Sequence, residues 1–479
     1  VNEDVDGIIA KHSYIILTAL FISTLFNYLY QVLMGNFLSN SDYGILGVSL
    51  SIFYIAVILT QSTFSQSSAR LISADPFNTG VYFKTTILGN FLVGVAVSLA
   101  IFLYSLSSEV YFLPLSMVAI LLLITSFVNS ITALHRGHKR FENLAIANVL
   151  GSSVKLVSAL LLVFLGFGVL GALASFIISL VLVIAYLFTK TLKIDLGNSK
   201  GWSFSMLKET IPVSIVFLGL AFLVNGSIVL FRYFEGSDVT AGSFNAALTV
   251  SRGTYFFSTA LITVLFPYLA SEKSKEYFSF QSLKYVFLFV FPLSISMLSN
   301  PGMWLNLFFS TKYLNADYFL IFLSISVGLL SIANVLASNL IAMERFSASS
   351  LSLLISSAVF IVLTLLTRNI LESLLVTSLV VFLILFVYYL RSFYFKFSFY
   401  YSSRIVLSYL AFGLITHYLP LISRFYSLVE IVLSFAIYFV LISVLRLFDE
   451  RDVLTILSPF PERLTKITAN IIRMFNSLL

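Results

Sequence analysis

ALTVSRGTYFFSTALITVLF, residues 247–266, is apolar and long enough to cross a bilayer, yet it carries Arg252 near its centre. A spanning helix needs about 20 largely apolar residues. A guanidinium held at mid-depth costs roughly 3 to 17 kcal/mol, depending on how water and lipid adapt around it. If the stretch spans, the chain is a membrane protein and Arg252 needs a reason to be there.

The rest of the chain has the same character. Of 479 residues, 59% are hydrophobic and 10% are charged, against roughly 25% charged in soluble domains. So few polar residues cannot cover a soluble protein of this length. There is no cysteine, which excludes a disulfide framework and a thiolate metal site. His135 and His138, with Glu142 one turn on, are crowded by Arg136, Lys139 and Arg140, so no metal is expected there. The polar opening VNEDVDG is not followed by a cleavable signal pattern, and the first apolar helix is expected to stay in the protein.

The twenty-residue rule predicts fourteen spans, near 13–35, 42–67, 80–105, 111–134, 143–165, 167–190, 206–233, 238–270, 281–299, 315–343, 346–367, 370–395, 401–420 and 426–447. An even number puts both termini on one side. With the N-terminus cytoplasmic, 22 of the 28 basic residues fall on the cytoplasmic side, and only Arg232, Lys312, Arg368 and Arg424 fall outside. The positive-inside rule therefore predicts a multi-pass protein of the cell membrane with both termini cytoplasmic. The net charge of +7 reads as inner-leaflet anchoring, and no nucleic-acid partner is expected. Two basic residues remain after this sorting, Lys155 and Arg252, both mid-helix.

The chain also repeats itself. LSNSDYGILGVSLSI (38–52) and FEGSDVTAGSFNAAL (234–248) share Ser-Asp at an offset of 196. NSITALHRGHKRFENLAIANVLGSSVKL (129–156) aligns with ASNLIAMERFSASSLSLLISSAVF (337–360), pairing Arg140-Phe141 with Arg345-Phe346 and Ser152-Ser153 with Ser356-Ser357. Spans 1–6 and 7–12 therefore read as two parallel copies of one unit, a known transporter plan. The expected divisions are an N-terminal lobe at 1–195, a C-terminal lobe at 196–396, two further spans at 397–448 and a cytoplasmic tail at 449–479. Arg252 aligns with Ala56 and Lys155 with Val359, so the repeated scaffold itself requires neither cation.

Fourteen spans, two six-helix units, Ser-Asp-Tyr-Gly at 41–44 and the basic loop HRGHKRFEN together resemble the multidrug/oligosaccharidyl-lipid/polysaccharide flippase superfamily. More closely, the chain is similar to its polysaccharide-exporter branch. That resemblance covers the whole chain. It implies an all-α membrane protein whose two lobes form a V around a central cavity, rocking between inward-open and outward-open states. It also implies a cationic cavity that holds a substrate phosphate or pyrophosphate, with the last two helices helping to form a groove for a polyprenyl tail.

The acidic residues decide how Arg252 is read. Through the first twelve spans every Asp and Glu lies at a helix end or in a loop, and Glu430 alone enters the membrane, in the last span. Arg252 and Lys155 therefore have no carboxylate at their depth. Such cations persist when they face water or an anion, although the long Lys155 stem can also snorkel. Asn245, Thr249, Arg252 and Thr259 share one helical face, as do Asn148, Ser152 and Lys155. Gln61, Ser65 and Ser68 on the second span, and Asn27 and Gln31 on the first, add polar stripes. Such stripes face a cavity or serve as interhelical hydrogen-bond glue. Arg232 reads as an exit contact or an interfacial anchor. The expected binding set is thus Arg252, Lys155, Asn245, Gln61, Asn27, Gln31, Asn148 and Arg232. A guanidinium fork suits phosphate oxygens, amides suit sugar hydroxyls, and Tyr255 could stack on a sugar. In the tail, Leu464, Ile467, Ile471, Phe475 and Leu478 make one face of an amphipathic helix expected to lie on the inner leaflet.

These features predict a flippase for a polyprenyl-phosphate- or diphosphate-linked oligosaccharide, with no enzyme activity and no cofactor. Membrane lipids and glycan-assembly enzymes are the expected partners, and a monomer the expected state. A cation-coupled multidrug exporter of the same superfamily would call for membrane carboxylates that the two lobes lack. A membrane glycosyltransferase would call for acidic residues in an early outer loop, where GNFLSNSDYG offers one Asp. A scramblase or scaffold would tolerate Arg252→Ala.

Overall fold

The computed structural model describes residues 2–62, 64–203, 206–269, 275–343, 345–392, 399–418 and 424–447. The amphipathic tail expected after residue 448 lies outside them. Among the described residues the fold is all-helical. The helices are α1 (Asn2–Phe37), α2 (Asn40–Ser62), α3 (Ser65–Ala74), α4 (Thr79–Ser105), α5 (Glu109–Gly137), α6 (Phe141–Phe164), α7 (Gly168–Thr191) and α8 (Met206–Glu235). They continue as α9 (Asp238–Leu269), α10 (Lys275–Ser299), α11 (Pro301–Phe309), α12 (Asp317–Ala342), α13 (Phe346–Thr367), α14 (Ile370–Ser392), α15 (Phe399–Tyr418) and α16 (Arg424–Val444). Each predicted span has its long helix. Among the described residues, 11 helical stretches are long and apolar enough to cross a membrane; α1, α9 and α15 are the long helices outside that set.

Two short helices depart from the sequence reading. The second span is divided: α2 ends at Ser62 and α3 restarts at Ser65. The polar run TQSTFSQSS lets side chains compete for the backbone there, and the Ser65 hydroxyl takes the Thr60 carbonyl at 3.3 Å. Between α10 and α12, α11 occupies what was read as an outer loop. Its nine residues are too few to span, and they pack against α9, α12, α16 and the end of α1.

Two positions matched in the sequence share their backbone geometry. Arg140 opens α6 with φ −83° and ψ 58°, and Arg345 opens α13 with φ −94° and ψ 50°. Their amides donate five residues back, to the carbonyls of His135 and Leu340. Their guanidiniums reach matching places, the Lys193 carbonyl just after α7 and the Ser392 hydroxyl ending α14.

Helices α4–α5, α6–α7, α1–α6, α5–α7 and α2–α5 pack in the first half, and α9–α12, α12–α14, α10–α12, α8–α13 and α13–α14 in the second. Along the seam α2 lies against α8 and α9, while α15 packs on α10 and α16. In a bilayer, helices gain little from burying apolar surface against one another, so close backbone approach and polar links matter more. Gly94 of α4 sits against Ser126 of α5, and Gly328 of α12 against Ser294 of α10. Large side chains such as Leu99, Val157, Leu161, Leu366 and Leu410 are left exposed on the outside, as a lipid-facing surface requires.

One polar link is well isolated. The fully buried Asn90 amide donates to Ser65 of α3 at 2.8 Å and to Ser130 of α5 at 2.9 Å. Both hydroxyls keep a second carbonyl partner, so losing the amide strands no donor. Asn90→Ala is expected to cost about 1 kcal/mol, in the range of intramembrane hydrogen bonds, read as a modest drop in thermal unfolding midpoint. An unchanged midpoint would mean that the amide does not hold α3.

Candidate functional site: a cation-lined cavity between the two halves

A cavity of about 300 Å³ is lined from α1, α2, α6 and α7 on one side and from α8 and α9 on the other. Four of the expected binding set reach it, Asn27, Gln31, Lys155 and Arg252, and so do Thr249 and Tyr255, which the sequence also singled out. No carboxylate is among its lining residues.

Arg252 is 92% buried, with 8% of its surface accessible. Its Nη2 donates to Asn225 Oδ1 at 2.7 Å and to Ser51 Oγ at 3.3 Å. Those bonds engage one terminal nitrogen only, and the buried Nε has no partner among the described residues. A planar fork with donors left over is suited to an oxyanion entering the cavity. Lys155 is buried to the same degree. Its ammonium donates to Asn27 Oδ1 and stands 4.4 Å from the Phe176 ring centroid and 5.2 Å from that of Tyr30. An amide oxygen and two aromatic faces stabilise the cation without cancelling its charge. Gln31 donates to the Tyr54 hydroxyl at 3.4 Å, and Tyr28 meets Phe256 edge to face at 6.2 Å. The cavity thus offers two cations, amides and aromatic faces, a combination suited to an anion joined to a sugar.

Other predicted residues are placed elsewhere. Asn245 is fully buried, donates to the Tyr43 carbonyl at 3.2 Å and packs on Gly47, serving the α2–α9 crossing. Arg232 grips Asp238 through both carboxylate oxygens, under the Tyr111 ring. Tyr111 also donates to Asp238 at 2.7 Å, so Arg232 ties α8 and α9 to α5 of the other half. Asn148 is exposed on α6, and Gln61 lies near the end of α2; neither lines the cavity. Ser65 and Ser68 belong to α3. Thr259 accepts from Asn334 of α12 at 3.4 Å, so the polar face of α9 changes role along its length. His135 pairs with Thr191 and Asn143, and His138 with Thr79. The Arg252 partners Asn225 and Ser51 were not in the expected set. Asn225 had a signal, an amide inside the apolar run FLVNGSIVLF; Ser51 had none to separate it from other serines.

Comparison with known proteins now places the chain. The sequence profile described as polysaccharide biosynthesis protein matches residues 9–273, more than half of the chain. The chain belongs to this polysaccharide biosynthesis family. No curated protein is similar enough to match it. Among solved structures, lipid II flippase MurJ in an inward closed conformation is similar at a TM-score of 0.64 and 16% identity, over 89% of this chain and 98% of that one. A multidrug resistance MATE family transporter of the MOP superfamily, inward-facing, is similar at a TM-score of 0.61 and 15% identity, over 79% and 98%. The outward-facing conformation of such a transporter gives 0.61 at 16% identity, over 79% and 95%. At these identities the likeness shows the fold: this family member has the all-helical MATE/MurJ architecture and is a multi-span membrane protein.

Proposed function

We propose that the protein is a flippase that carries an oligosaccharide linked to a polyprenyl phosphate or diphosphate from the cytoplasmic to the outer leaflet by alternating access. The supporting observation is that Arg252 and Lys155, one from each half, line one buried cavity that no carboxylate lines. Arg252 would be the main phosphate contact and Lys155 the second. In a low-dielectric cavity such pairs are strengthened, and the bound anion offsets the cost of keeping the cations there. The family's role in polysaccharide biosynthesis and the shared fold of a lipid II flippase accord with a lipid-borne glycan. A cavity of 300 Å³ is at the lower limit for drug-sized ligands. It would admit the phosphate and an adjoining sugar, and the halves would have to part for the rest.

Both termini are placed in the cytoplasm by the distribution of basic residues. Residues 35–44, 111, 232–245 and 308–313 then lie toward the outer side. They carry dense cross-half contacts: Asn36 to the Phe308 carbonyl at 2.8 Å, Lys312 to the Gly35 carbonyl at 2.8 Å, and Tyr313 to the same carbonyl at 3.2 Å. This conformation is accordingly read as closed on the outside.

The test is translocation of a labelled lipid-linked oligosaccharide in proteoliposomes. Arg252→Ala is expected to lower the rate by about 10- to 100-fold, the worth of a charged hydrogen bond, with Arg252→Lys retaining part. Full activity in both variants would make Arg252 a structural residue. Export of cationic drugs by a wild type that moves no glycan lipid would favour the multidrug-exporter reading.

A further inference from the structure

A second cavity, of about 530 Å³, is a groove on the outer surface of the first half. Ile87, Leu88 and Phe91 of α4 and Phe127 of α5 wall it, and the segment joining the two halves roofs one end with Trp202. That segment is fastened to the start of α4. The Gly80 amide donates to the Leu196 carbonyl at 2.7 Å, Val81 to Asn198 at 3.1 Å, and Asn198 back to Phe77 at 2.8 Å. The Ser203 amide donates to Thr85 Oγ1 at 3.2 Å. Gly80 is required by this docking: a Cβ there would lie 2.1 Å from Ser199 Oγ and 2.8 Å from the Asn198 carbonyl oxygen.

The docking brings one charge to the groove mouth. The exposed Lys84 ammonium stands 4.0 Å from the Trp202 ring centroid. Among the described residues no carboxylate is bonded to Lys84. The nearby acids are occupied: Asp75 accepts from Asn78 and Tyr82, whose hydrogen bonds, Asn78 foremost, hold its carboxyl below the usual range, and Asp195 accepts from the Gly197 amide. Lys200 is carried on the same segment. A cation and an indole at the mouth, with an apolar channel of aromatic and aliphatic side chains running from it along α4, match a lipid with a charged head and a hydrocarbon chain. Tryptophan and lysine favour headgroup depth, and the sign of the charge selects an anionic head.

We propose that this groove binds one anionic phospholipid, its headgroup phosphate at Lys84 and one acyl chain along Ile87, Phe91 and Phe127. The bound lipid would hold the inter-half segment down on α4, so that lipid composition bears on how freely the halves move. By the topology proposed above the groove opens to the cytoplasmic leaflet, and the groove and its charge do not depend on that assignment.

The chain supplies its own probe. It has two tryptophans; Trp304 is buried with its indole nitrogen on Ser296 Oγ at 3.0 Å, whereas Trp202 is 48% exposed. Subtracting the fluorescence of a Trp202→Phe variant isolates Trp202. The protein is placed in phosphatidylcholine bilayers containing a minor fraction of brominated phosphatidylglycerol, or the same fraction of brominated phosphatidylcholine. Quenching is expected to report an association about fivefold stronger for phosphatidylglycerol, the effect of one lysine at the surface. The preference should vanish in Lys84→Gln and persist in Lys84→Arg. Because the two lipids are compared within each variant, a shift of the indole cancels. Equal quenching by both lipids, or a preference that survives in Lys84→Gln, overturns the proposal. No transport is measured, so this result and the flippase reading can fail separately.

Discussion

Replacing Asn225 with aspartate is expected to lower translocation by more than about a hundredfold while leaving thermal stability equal to the wild type or above it. The substitution changes one atom in the group that already holds Arg252, whose Nη2 lies 2.7 Å from Asn225 Oδ1. The Nδ2 it replaces gives up a bond to the Ala221 carbonyl at 2.9 Å, a loss of about 1 kcal/mol that the new ion pair offsets. Asparagine gives the guanidinium a dipole; aspartate would give it a counter-ion, in a charge-assisted bond about twice as strong. The cation would then need no anion from outside. An incoming phosphate would also meet a fixed negative charge. At about 6 Å and an effective dielectric constant of about 20, that repulsion is worth about 3 kcal/mol, or more than a hundredfold in affinity. Loss of transport with retained stability separates this case from variants that simply unfold. Activity within about threefold of wild type, a change of under 1 kcal/mol, would show that the substrate does not read the charge of Arg252. The anion site would then have to be sought at Lys155 alone.

What the sequence could reveal followed from how few explanations each residue type allows. A cation in the middle of an apolar span has a short list of environments, so Arg252 and Lys155 pointed to the cavity directly, and Asn27 and Gln31 came with them. The amides and hydroxyls elsewhere were ambiguous for a physical reason: in a membrane the same groups that line cavities also link helices. Asn245 lies on the Arg252 face of α9 by helical periodicity, but α9 crosses α2 at that level and the amide closes on Tyr43 and Gly47. About four turns further along, Thr259 meets Asn334 of α12. One stripe therefore serves two neighbouring helices and a cavity, and periodicity along α9 contains no information about where its neighbours cross.

The fold was more legible than the site because it depends on repetition. Arg140 and Arg345 were matched as letters, and they open α6 and α13 with nearly the same backbone angles. The parts missed were the break between α2 and α3 and the insertion between α10 and α12. The first half joins α4 to α5 in three residues, whereas the second inserts α11 and a 3-10 turn between α10 and α12. That insertion supplies Phe308, Lys312 and Tyr313, which fasten the end of α1. The asymmetry thus falls where the halves meet, as do the two unmatched cations. The features that the sequence match leaves unpaired are those that face across the seam.

Gly242→Leu is expected to prevent that seam from closing at the end proposed above to face outward. The backbones of α2 and α9 touch there: a Cβ on Gly242 would sit 1.9 Å from the Asn40 carbonyl oxygen, where ordinary contact begins at 3.4 Å. A Cβ on Gly44 would meet the Asp238 carbonyl oxygen at 2.1 Å. Neither neighbour is a side chain that can swing aside, so the helices must part by about 1.5 Å before even alanine fits. Small residues at such crossings are what allows the approach, and a leucine forbids it. The outer halves of α2 and α9 would also lose the Asn245–Tyr43 and Tyr43–Thr249 bonds, at 3.2 and 3.0 Å. The native chain has no cysteine, so a single Thr249→Cys on the cavity wall gives a clean reporter. An impermeant maleimide added from outside should label it slowly in the otherwise wild-type chain and at least about tenfold faster with Gly242→Leu, the effect of shifting the open state by about 1.4 kcal/mol. Gly253→Ala on the same helix, whose Cβ would lie 3.9 Å from Met297, should change neither labelling nor transport. If Gly242→Leu labels no faster and still transports, the α2–α9 crossing is not a closure that opens. If labelling requires reagent on the inside instead, the closure stands and the predicted orientation of the chain is reversed.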